Sequence, residues 1–135
     1  MGKTIGLVLR DAYLAVDRAV QEELAQEGFS ELRPGHHVAL RHIGHDGERP
    51  VVIAERAQVS RQAIAKVIDD LERIGLVRRD PDPMDGRGVI VRLTDRGQAG
   101  LAIGRRAMQA IEAQLVADLG PRRWQAMRDA LERLG

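Results

Sequence analysis

The helix predicted after residue 60 carries, in its first half, side chains that could bind DNA bases: Arg61, Gln62 and Lys66. Arginine can form a bidentate pair with guanine, glutamine can do the same with adenine, and lysine can contact a phosphate or a guanine. A recognition helix usually enters the major groove by its N-terminal residues, and the helix dipole also favours phosphate at that end. An ordinary solvated helix face explains the same residue types equally well, so the neighbouring segment has to decide.

The segment after this helix predicts a short charged hairpin that could reach a second groove. Arg87 stands near the tip, where it could enter a narrow minor groove with its concentrated negative potential. Asp85, two residues earlier, could hold the side chain of Arg87 or of Arg79 in place. The alternative is a polar turn with an accidental ion pair, which would contribute little. A polar helix followed at once by such an arm favours DNA binding over a merely solvated surface.

The helix that must position these groups has clear limits in the sequence. Ser60 is a strong N-cap residue, and Gly75 is a usual C-terminal stop. Between them, apolar residues recur at helical spacing and predict the buried stripe: Ile64, Val67, Ile68, Leu71 and Ile74. Two β-branched runs, 76–79 and 89–93, flank a loop rich in Pro, Asp and Gly and predict the hairpin.

Three helices are predicted before this unit. Apolar spacing over 5–24 predicts a first amphipathic helix, with Gly28 as its stop. A second helix follows Pro34 and ends near Gly44. A third, shorter helix covers 51–59 after a turn.

Two more helices are predicted after the hairpin. Thr94 is the N-cap candidate of a long helix, and Gly120-Pro121 separates it from the last one. The long helix carries apolar residues at near-heptad spacing: Leu101, Met108, Ile111, Leu115 and Leu119. The last helix carries Trp124, Met127, Leu131 and Leu134. Because these outer helices are too long and too apolar for a monomer of this size, we expect them to pack against another chain.

The element order predicts a mainly α-helical fold with a small β-hairpin wing. This is a winged helix-turn-helix with flanking dimerisation helices. A chain of 135 residues is expected to form one domain. Because aromatic residues make up only 2% of the chain, the core must be aliphatic, which suits packed helices.

Charge and composition exclude several classes of protein. The chain has a net charge of +1, and residues 36–92 carry ten Lys or Arg against nine Asp or Glu, so DNA contact would need a local basic surface. Cysteine is absent, which excludes disulfides and thiol redox chemistry and fits a reducing compartment. The apolar run at 5–9 is too short for a signal peptide or a membrane span. We therefore expect a cytoplasmic protein without a membrane partner.

Three segments in and after the hairpin form a specific combination. They are Gly75-Leu76-Val77-Arg78-Arg79, Asp85-Gly86-Arg87 and Val91-Arg92-Leu93-Thr94-Asp95-Arg96-Gly97. Together they resemble the MarR family of bacterial transcription regulators, and the flanking helices resemble that family in order and length. The resemblance implies one domain over 1–135, with dimerisation helices at 1–30 and 95–135 and a winged helix-turn-helix DNA-binding lobe at 34–94.

The resemblance also implies partners and site residues. It implies an obligate homodimer that binds a pseudo-palindromic double-stranded DNA operator. It places six residues at the DNA, four on the recognition helix and two at the wing tip: Ser60, Arg61, Gln62, Lys66, Asp85 and Arg87. Gly88 stands where many relatives carry a bulky or basic residue, so we expect the wing to grip DNA less strongly.

All four histidines lie between His36 and His45. The resemblance implies an effector pocket close to the second helix, where His36 or His37 could hydrogen-bond a small aromatic or anionic effector. His42 and His45 are three residues apart and could share a helix face at metal-ligand spacing. The absence of cysteine and the few nearby acids favour solvated or pocket-lining histidines instead. We predict no metal site and no cofactor.

The sequence shows no catalytic constellation, since no serine has a histidine at a recognisable motif spacing. We therefore predict that the protein is not an enzyme. The preferred interpretation is a sequence-specific double-stranded DNA-binding transcription regulator, a homodimeric repressor released by a small-molecule ligand. The alternative is a winged-helix protein-interaction module without DNA reading, which the near-neutral charge of the lobe keeps open.

Overall fold

A computed structural model of the protein describes residues 2–135. Six helices and one antiparallel hairpin lie in that range: α1 Ile5–Gln26, α2 Pro34–Leu40, α3 Pro50–Ala57, α4 Arg61–Arg73, β1 Val77–Asp82, β2 Asp85–Leu93, α5 Asp95–Leu119 and α6 Pro121–Glu132. The predicted order and type of elements are confirmed, and so is the mainly α-helical winged helix-turn-helix fold class.

The hydrophobic core lies in the lobe formed by α2, α3, α4 and the hairpin. The helix α4 contributes Ile64, Ile68 and Leu71, each at most 1% exposed. Leu24 and Phe29 extend the same cluster towards the end of α1. Burying aliphatic side chains of this size contributes roughly 1.5–3 kcal/mol each, so packing holds α4 in place and leaves its opposite face free.

The helix α4 begins and ends as predicted. The hydroxyl oxygen of Ser60 accepts a hydrogen bond from the backbone N–H of Ala63 at 3.0 Å. At the other end Gly75 adopts a φ of +78°, and the N–H of Leu76 returns to the carbonyl of Leu71 at 2.9 Å. Both ends are therefore closed by local contacts.

The wing is a longer hairpin than the sequence pattern predicted. Pairing extends from Val77 opposite Leu93 to Asp82 opposite Asp85, with an irregularity beside Pro81. The prediction treated the Pro-, Asp- and Gly-rich part as a loop because these residues are depleted in strands. The arm tolerates Pro81 because both strands of a two-stranded arm are edge strands, where a missing N–H costs little.

The base of the wing is joined to the segment before α3. Glu48 and Val91 exchange two backbone hydrogen bonds of 2.9 and 2.8 Å. Gly47, with a φ of +81°, makes the approach possible, since a Cβ there would lie 2.8 Å from the carbonyl oxygen of Val91. This contact fixes the lower half of the hairpin against the lobe.

The helix α2 ends earlier than predicted. The predicted limit was near Gly44, but the helix ends at Leu40, and Ile43 is buried in the turn that follows. Ile43 stands at helical spacing from the apolar residues of α2, so the sequence pattern suggested that the helix continued. The prediction that His42 and His45 could share a face of this helix is therefore wrong, because both lie beyond its end.

The helix α5 starts in close contact with the lobe. The hydroxyl group of Thr94 accepts from the N–H of Gly97 at 3.1 Å and donates to the carbonyl of Gly75 at 2.6 Å. A Cβ at Gly97 would collide with the carbonyl oxygen of Leu76. Glycine at this position therefore lets α5 leave the lobe at the observed angle.

The outer helices bury a different set of residues from the predicted one. The buried residues of α5 are Gly97, Gly100, Ile103 and Ala107, whereas Met108 of the predicted heptad stripe is exposed. Small residues let α5 lie close to Phe29 and α1. Many apolar side chains remain exposed on the outer helices: Ile5, Leu7, Val8, Tyr13, Leu14, Met127 and Leu131. Leu134, which the sequence placed on the last helix, is exposed beyond the end of α6. In the described range 2–135, no helix is long and apolar enough to cross a membrane.

Candidate nucleic-acid interface

The front of α4 presents the predicted reading residues on one exposed surface. Ser60, Arg61, Gln62 and Lys66 are all exposed, and the buried stripe lies on the opposite side of the helix. Neither Arg61 nor Lys66 has a carboxylate within ion-pair distance in the part of the chain that the structure describes. Both charges are therefore available to an outside partner, and Arg61 lies in the first turn of α4, where the helix dipole favours phosphate.

The acids at the back of α4 are paired with arginines of the same chain. Asp69 and Glu72 both pair with Arg79 of β1, at 2.6 and 3.2 Å. Asp70 lies 3.5 Å from Arg73 on its own helix. The negative charges of α4 are therefore engaged at the base of the hairpin, apart from the exposed surface formed by Ser60, Arg61, Gln62 and Lys66.

The hairpin contains a second set of ion pairs. Asp80 pairs with Arg78 and with Arg92, at 3.1 and 3.0 Å. Arg92 also donates to the backbone carbonyl of Asp46 at 2.5 Å. Of the three acids of the arm, Asp80 therefore meets two arginines of the arm itself.

The structure gives Asp85 a different partner from those expected. Asp85 accepts a hydrogen bond from the backbone N–H of Arg87 at 3.0 Å, which shapes the tip. Its carboxylate pairs with neither the Arg87 nor the Arg79 guanidinium within residues 2–135, and Arg79 is held by α4 instead. The side chain of Arg87 is exposed at the tip and remains available.

Sequence reasoning missed the contact between the wing tip and α3. Nε of Arg49 lies 2.6 Å from Oδ2 of Asp82, whose side chain is 2% exposed. The N–H of Met84 donates to the same carboxylate at 2.9 Å. Together the Met84 amide and the Arg49 guanidinium lower the pKa of Asp82 below its ordinary value. No local signal could have predicted a pair whose members are 33 residues apart.

The two histidines predicted for an effector pocket have partners inside the chain. His36 is buried, and its Nδ1 accepts from the backbone N–H of Arg33 at 3.1 Å, at the start of α2. His37 lies 3.1 Å from the side-chain amide of Gln21 on α1. Burial lowers the pKa of both rings, and Asp70, 3.9 Å from His36, offsets this only in part. A ligand role for either histidine stays a prediction.

Two open grooves lie beside α5, and neither is lined by His36 or His37. One, of about 500 Å³, runs between α1 and α5 and carries Glu22, Glu23 and Arg106 on its walls. The other, of about 390 Å³, lies where the turn after α2 meets α5, with His45 and Arg105 at its edge. Within the described chain, no group of three His, Cys, Asp or Glu side chains is arranged to hold a metal ion.

A helix with an unpaired basic front, an adjoining wing and a packed core behind both define a winged helix-turn-helix protein of the DNA-binding class. The MarR family model matches residues 30–88, which contain the helix-turn-helix and the wing tip. Relatives include HTH-type transcriptional regulators from Mycobacterium bovis and Mycobacterium leprae. They are 29% and 28% identical over 123 residues, which is 90% of this chain and 86% of theirs. The chain is therefore similar to transcription regulators of the MarR family, in its helix-turn-helix and wing by the family model and over most of its length by these relatives.

Solved structures show the same similarity. A probable transcriptional regulator from Pseudomonas aeruginosa is 28% identical, covers 98% of both chains and superposes with a TM-score of 0.76. The transcriptional repressor CouR, bound to a 23-mer DNA duplex, is also 28% identical, with a TM-score of 0.74 over 97% of this chain and 92% of that one. The apo form of MarR from E. coli, at 23% identity and a TM-score of 0.71, shares the fold.

Proposed function

We propose that the protein binds double-stranded DNA sequence-specifically and regulates transcription as a homodimeric repressor that a small molecule releases. The observation that carries the proposal is the unpaired basic front of α4, where Arg61 and Lys66 stand free while Asp69 and Glu72 are tied to Arg79. The repressor CouR, which has a similar chain and binds a DNA duplex, supports the same conclusion. In this proposal α4 lies in the major groove and Arg87 reaches the adjacent minor groove.

The homodimer part of the proposal rests on the outer helices. The apolar side chains exposed on α1 and α6 would be covered if the outer helices of two copies packed together. A two-fold dimer presents two recognition helices about 34–36 Å apart, one turn of DNA, to a pseudo-palindromic site. The range 34–94 would then form the DNA-binding lobe, and 1–30 with 95–135 the dimerisation region.

Release by a ligand would act by changing the spacing of the two α4 helices. His36 and His37 are one proposed contact for a small aromatic or anionic effector. The groove beside Arg105 is a second location, since a guanidinium and the imidazole of His45 stand over apolar walls formed by Ile43 and Leu93. A screen of phenolic and carboxylate compounds against the DNA complex tests this part. Arg105→Ala would remove the response if that groove is used, and Arg106→Ala, in the other groove, is the matched control.

Selection of duplexes from a random pool, followed by binding titrations, tests the DNA-reading part. Arg61→Ala or Gln62→Ala should cost about 1–3 kcal/mol and relax the preference at particular base pairs. A uniform loss over all sequences would identify a phosphate contact instead. Arg73→Ala is the control on the same helix, because Arg73 lies at the far end and pairs with Asp70.

The wing is tested separately by Arg87→Ala. Affinity should fall over many sequences, and the slope of log K against log salt should decrease by about one for each lost phosphate contact. Unchanged affinity would remove the wing from the mechanism. Arg78→Ala is the control in the same arm, since Arg78 is engaged with Asp80.

The competing function is protein interaction without DNA reading. It predicts that no duplex is enriched and that duplex DNA shows no salt-dependent shift. The ion pairs described above weaken this alternative, because they account for the near-neutral charge of the lobe without cancelling the basic front of α4.

A further inference from the structure

The outer half of the wing is tied to the rest of the molecule by one polar contact. Residues 81–90 form this outer half and carry Arg87. Across the described residues 2–135, the ion pair between Arg49 and Asp82 is the only hydrogen bond or ion pair that joins 81–90 to a residue outside the hairpin. The other anchors, at Glu48 and Arg79, act on the lower half of the arm.

The carboxylate of Asp82 links this anchor to the shape of the tip. Its Oδ2 atom accepts from Arg49, and its Oδ1 atom accepts from the N–H of Met84 in the turn. With Arg49 in place, the Asp82 side chain is only 2% exposed. A buried carboxylate without its cation is unfavourable, so loss of Arg49 would drive the tip to rearrange until Asp82 reaches solvent.

Arg49 is itself held at a fixed place in the helix-turn-helix. It immediately precedes Pro50, the first residue of α3, and its backbone N–H donates to Glu48 at 3.0 Å. Glu48 is bonded in both directions to Val91. Because Arg49 directly precedes α3 and α3 packs on α4, the position of its guanidinium is fixed relative to α4.

We propose that Arg49 is a positioning residue for DNA binding, whose ion pair with Asp82 holds the wing tip where Arg87 meets the DNA while α4 occupies the major groove. The inference rests on the proposed function, since it presupposes that both α4 and Arg87 contact DNA. Without the ion pair between Arg49 and Asp82, the wing tip would become ordered only when the protein binds DNA. Part of the binding free energy would then be lost as conformational entropy.

A direct phosphate contact by Arg49 is the competing explanation, because its side chain is 46% exposed. The two explanations predict opposite results for Asp82→Asn. This variant removes the acid and leaves the arginine free, so a direct contact would keep or gain affinity. A positioning role requires that Asp82→Asn and Arg49→Gln weaken binding to a similar extent.

The experiment measures affinity of the full chain for its selected duplex at several salt concentrations. Arg49→Gln and Asp82→Asn are each made in the wild-type and in the Arg87→Ala background. In the wild-type background each should weaken binding about tenfold and reduce the salt slope by about one, as Arg87→Ala does. In the Arg87→Ala background neither should weaken binding further, since the pair acts through Arg87.

Two further variants separate positioning from general stability. Arg49→Lys keeps a cation opposite Asp82 and should restore most of the affinity. Arg56→Gln breaks the neighbouring pair with Glu48, 3.0 Å long, and should leave the salt slope unchanged. Hydrogen exchange supplies a readout without DNA: the Met84 amide should exchange faster in Arg49→Gln while the amides of α4 keep their protection.

Each outcome decides between explanations. Full affinity in Asp82→Asn, or a further loss in the Arg87→Ala background, would overturn the positioning role. An unaltered Met84 amide in Arg49→Gln would do the same, even if a variant proved too unstable for binding studies. If Arg87→Ala alone had no effect, the proposed use of the wing would fail first, and this result is distinguishable from failure of the Arg49 inference.

Discussion

The winged lobe and the outer helices differ in where their aliphatic side chains lie. In the lobe, Ile53, Ile64 and Leu71 are at most 1% exposed, whereas Ile5 on α1 is 67% exposed and α6 buries no residue. The lobe thus completes its core within one chain, and the outer helices do not. A single copy therefore completes the surface formed by α4 and the wing, whereas apolar faces of α1 and α6 stay uncovered.

Charge shows the same difference between the two regions. Several acids near the reading helix and the wing pair with arginines from a different element or strand, as Asp69 does with Arg79 and Asp82 with Arg49. On α6 the pair is local, between Arg128 and Glu132 one turn apart. Pairs between elements fix their relative position, whereas exposed pairs within one helix contribute only about 0.3–0.5 kcal/mol.

The largest effect is expected where the two regions meet. Gly97→Ala places a Cβ against the carbonyl oxygen of Leu76, which cannot move without disturbing β1. We expect a loss of about 3 kcal/mol or more in the free energy of unfolding, measured by urea denaturation. Gly104→Ala on the same helix is the control, because its Cβ would have only Val20 nearby, at 4.0 Å. Equal effects of the two variants would show that the lobe and α5 are joined loosely.

The next effect tests the exposed outer faces. Leu131→Glu should raise the dissociation constant of the dimer at least about 100-fold, because it buries an unpaired charge in the proposed interface. Analytical ultracentrifugation measures this directly. Ala126→Glu adds the same charge on the opposite side of α6, where it should leave assembly unchanged. A dimer that tolerates Leu131→Glu would place the interface elsewhere.

A smaller effect is expected of pH on the free energy of unfolding, and it should arise from His36 in the lobe. The burial that lowers the pKa of His36 leaves its contribution to stability intact above about 6.5, the ordinary histidine pKa. As the pH falls below that value, the unfolded chain binds a proton that the folded ring resists. Stability should therefore decrease by at most about 1.4 kcal/mol per pH unit for this group. The pKa of His37 is lowered for the same reason and adds to the trend.

The measurement is the free energy of unfolding between pH 7 and pH 5. His36→Gln should give a shallower pH dependence than the wild type, whatever its effect at pH 7. His45→Gln is the control, because His45 is exposed beyond the end of α2. Parallel profiles for wild type and His36→Gln would contradict the assignment of the pH dependence to this ring.

The smallest effect concerns the cap of the reading helix. Ser60→Ala removes the acceptor for the N–H of Ala63 and should cost about 1 kcal/mol of unfolding free energy. Ser30→Ala, in an exposed turn, should change stability little. Since the lobe completes its own core, the loss should be independent of protein concentration; a concentration-dependent loss would mean that the lobe also depends on the partner copy.

The elements closed by local signals were predictable. Ser60 and Thr94 cap their helices as expected, and Gly75 ends α4 with a positive φ. Helical spacing also identified the stripe of α4, because Ile64, Ile68 and Leu71 face a core that surrounds one side of the helix. These predictions succeeded because each depends on residues within a few positions of one another.

Predictions that depended on the surroundings of a segment were less successful. The end of α2 was placed too late because Ile43 is buried by the fold and not by the helix. The buried line of α5 runs through Gly100 and Ile103, and a Cβ at position 100 would lie only 3.1 Å from the ring of Phe29. The apolar periodicity identified α5 as a helix but did not show which of its faces packs against α1 and the lobe.

The sequence alone determined which side chains could read DNA, because helix caps and helical spacing expose Arg61, Gln62 and Lys66 together. It could not determine which charges remain free. That depended on ion pairs between distant segments, through which Asp69 and Asp82 are neutralised. The tertiary structure decided it because electrostatic partners are set by proximity in space. The basic front of α4 is therefore visible in the sequence, and its freedom to bind is visible only in the fold.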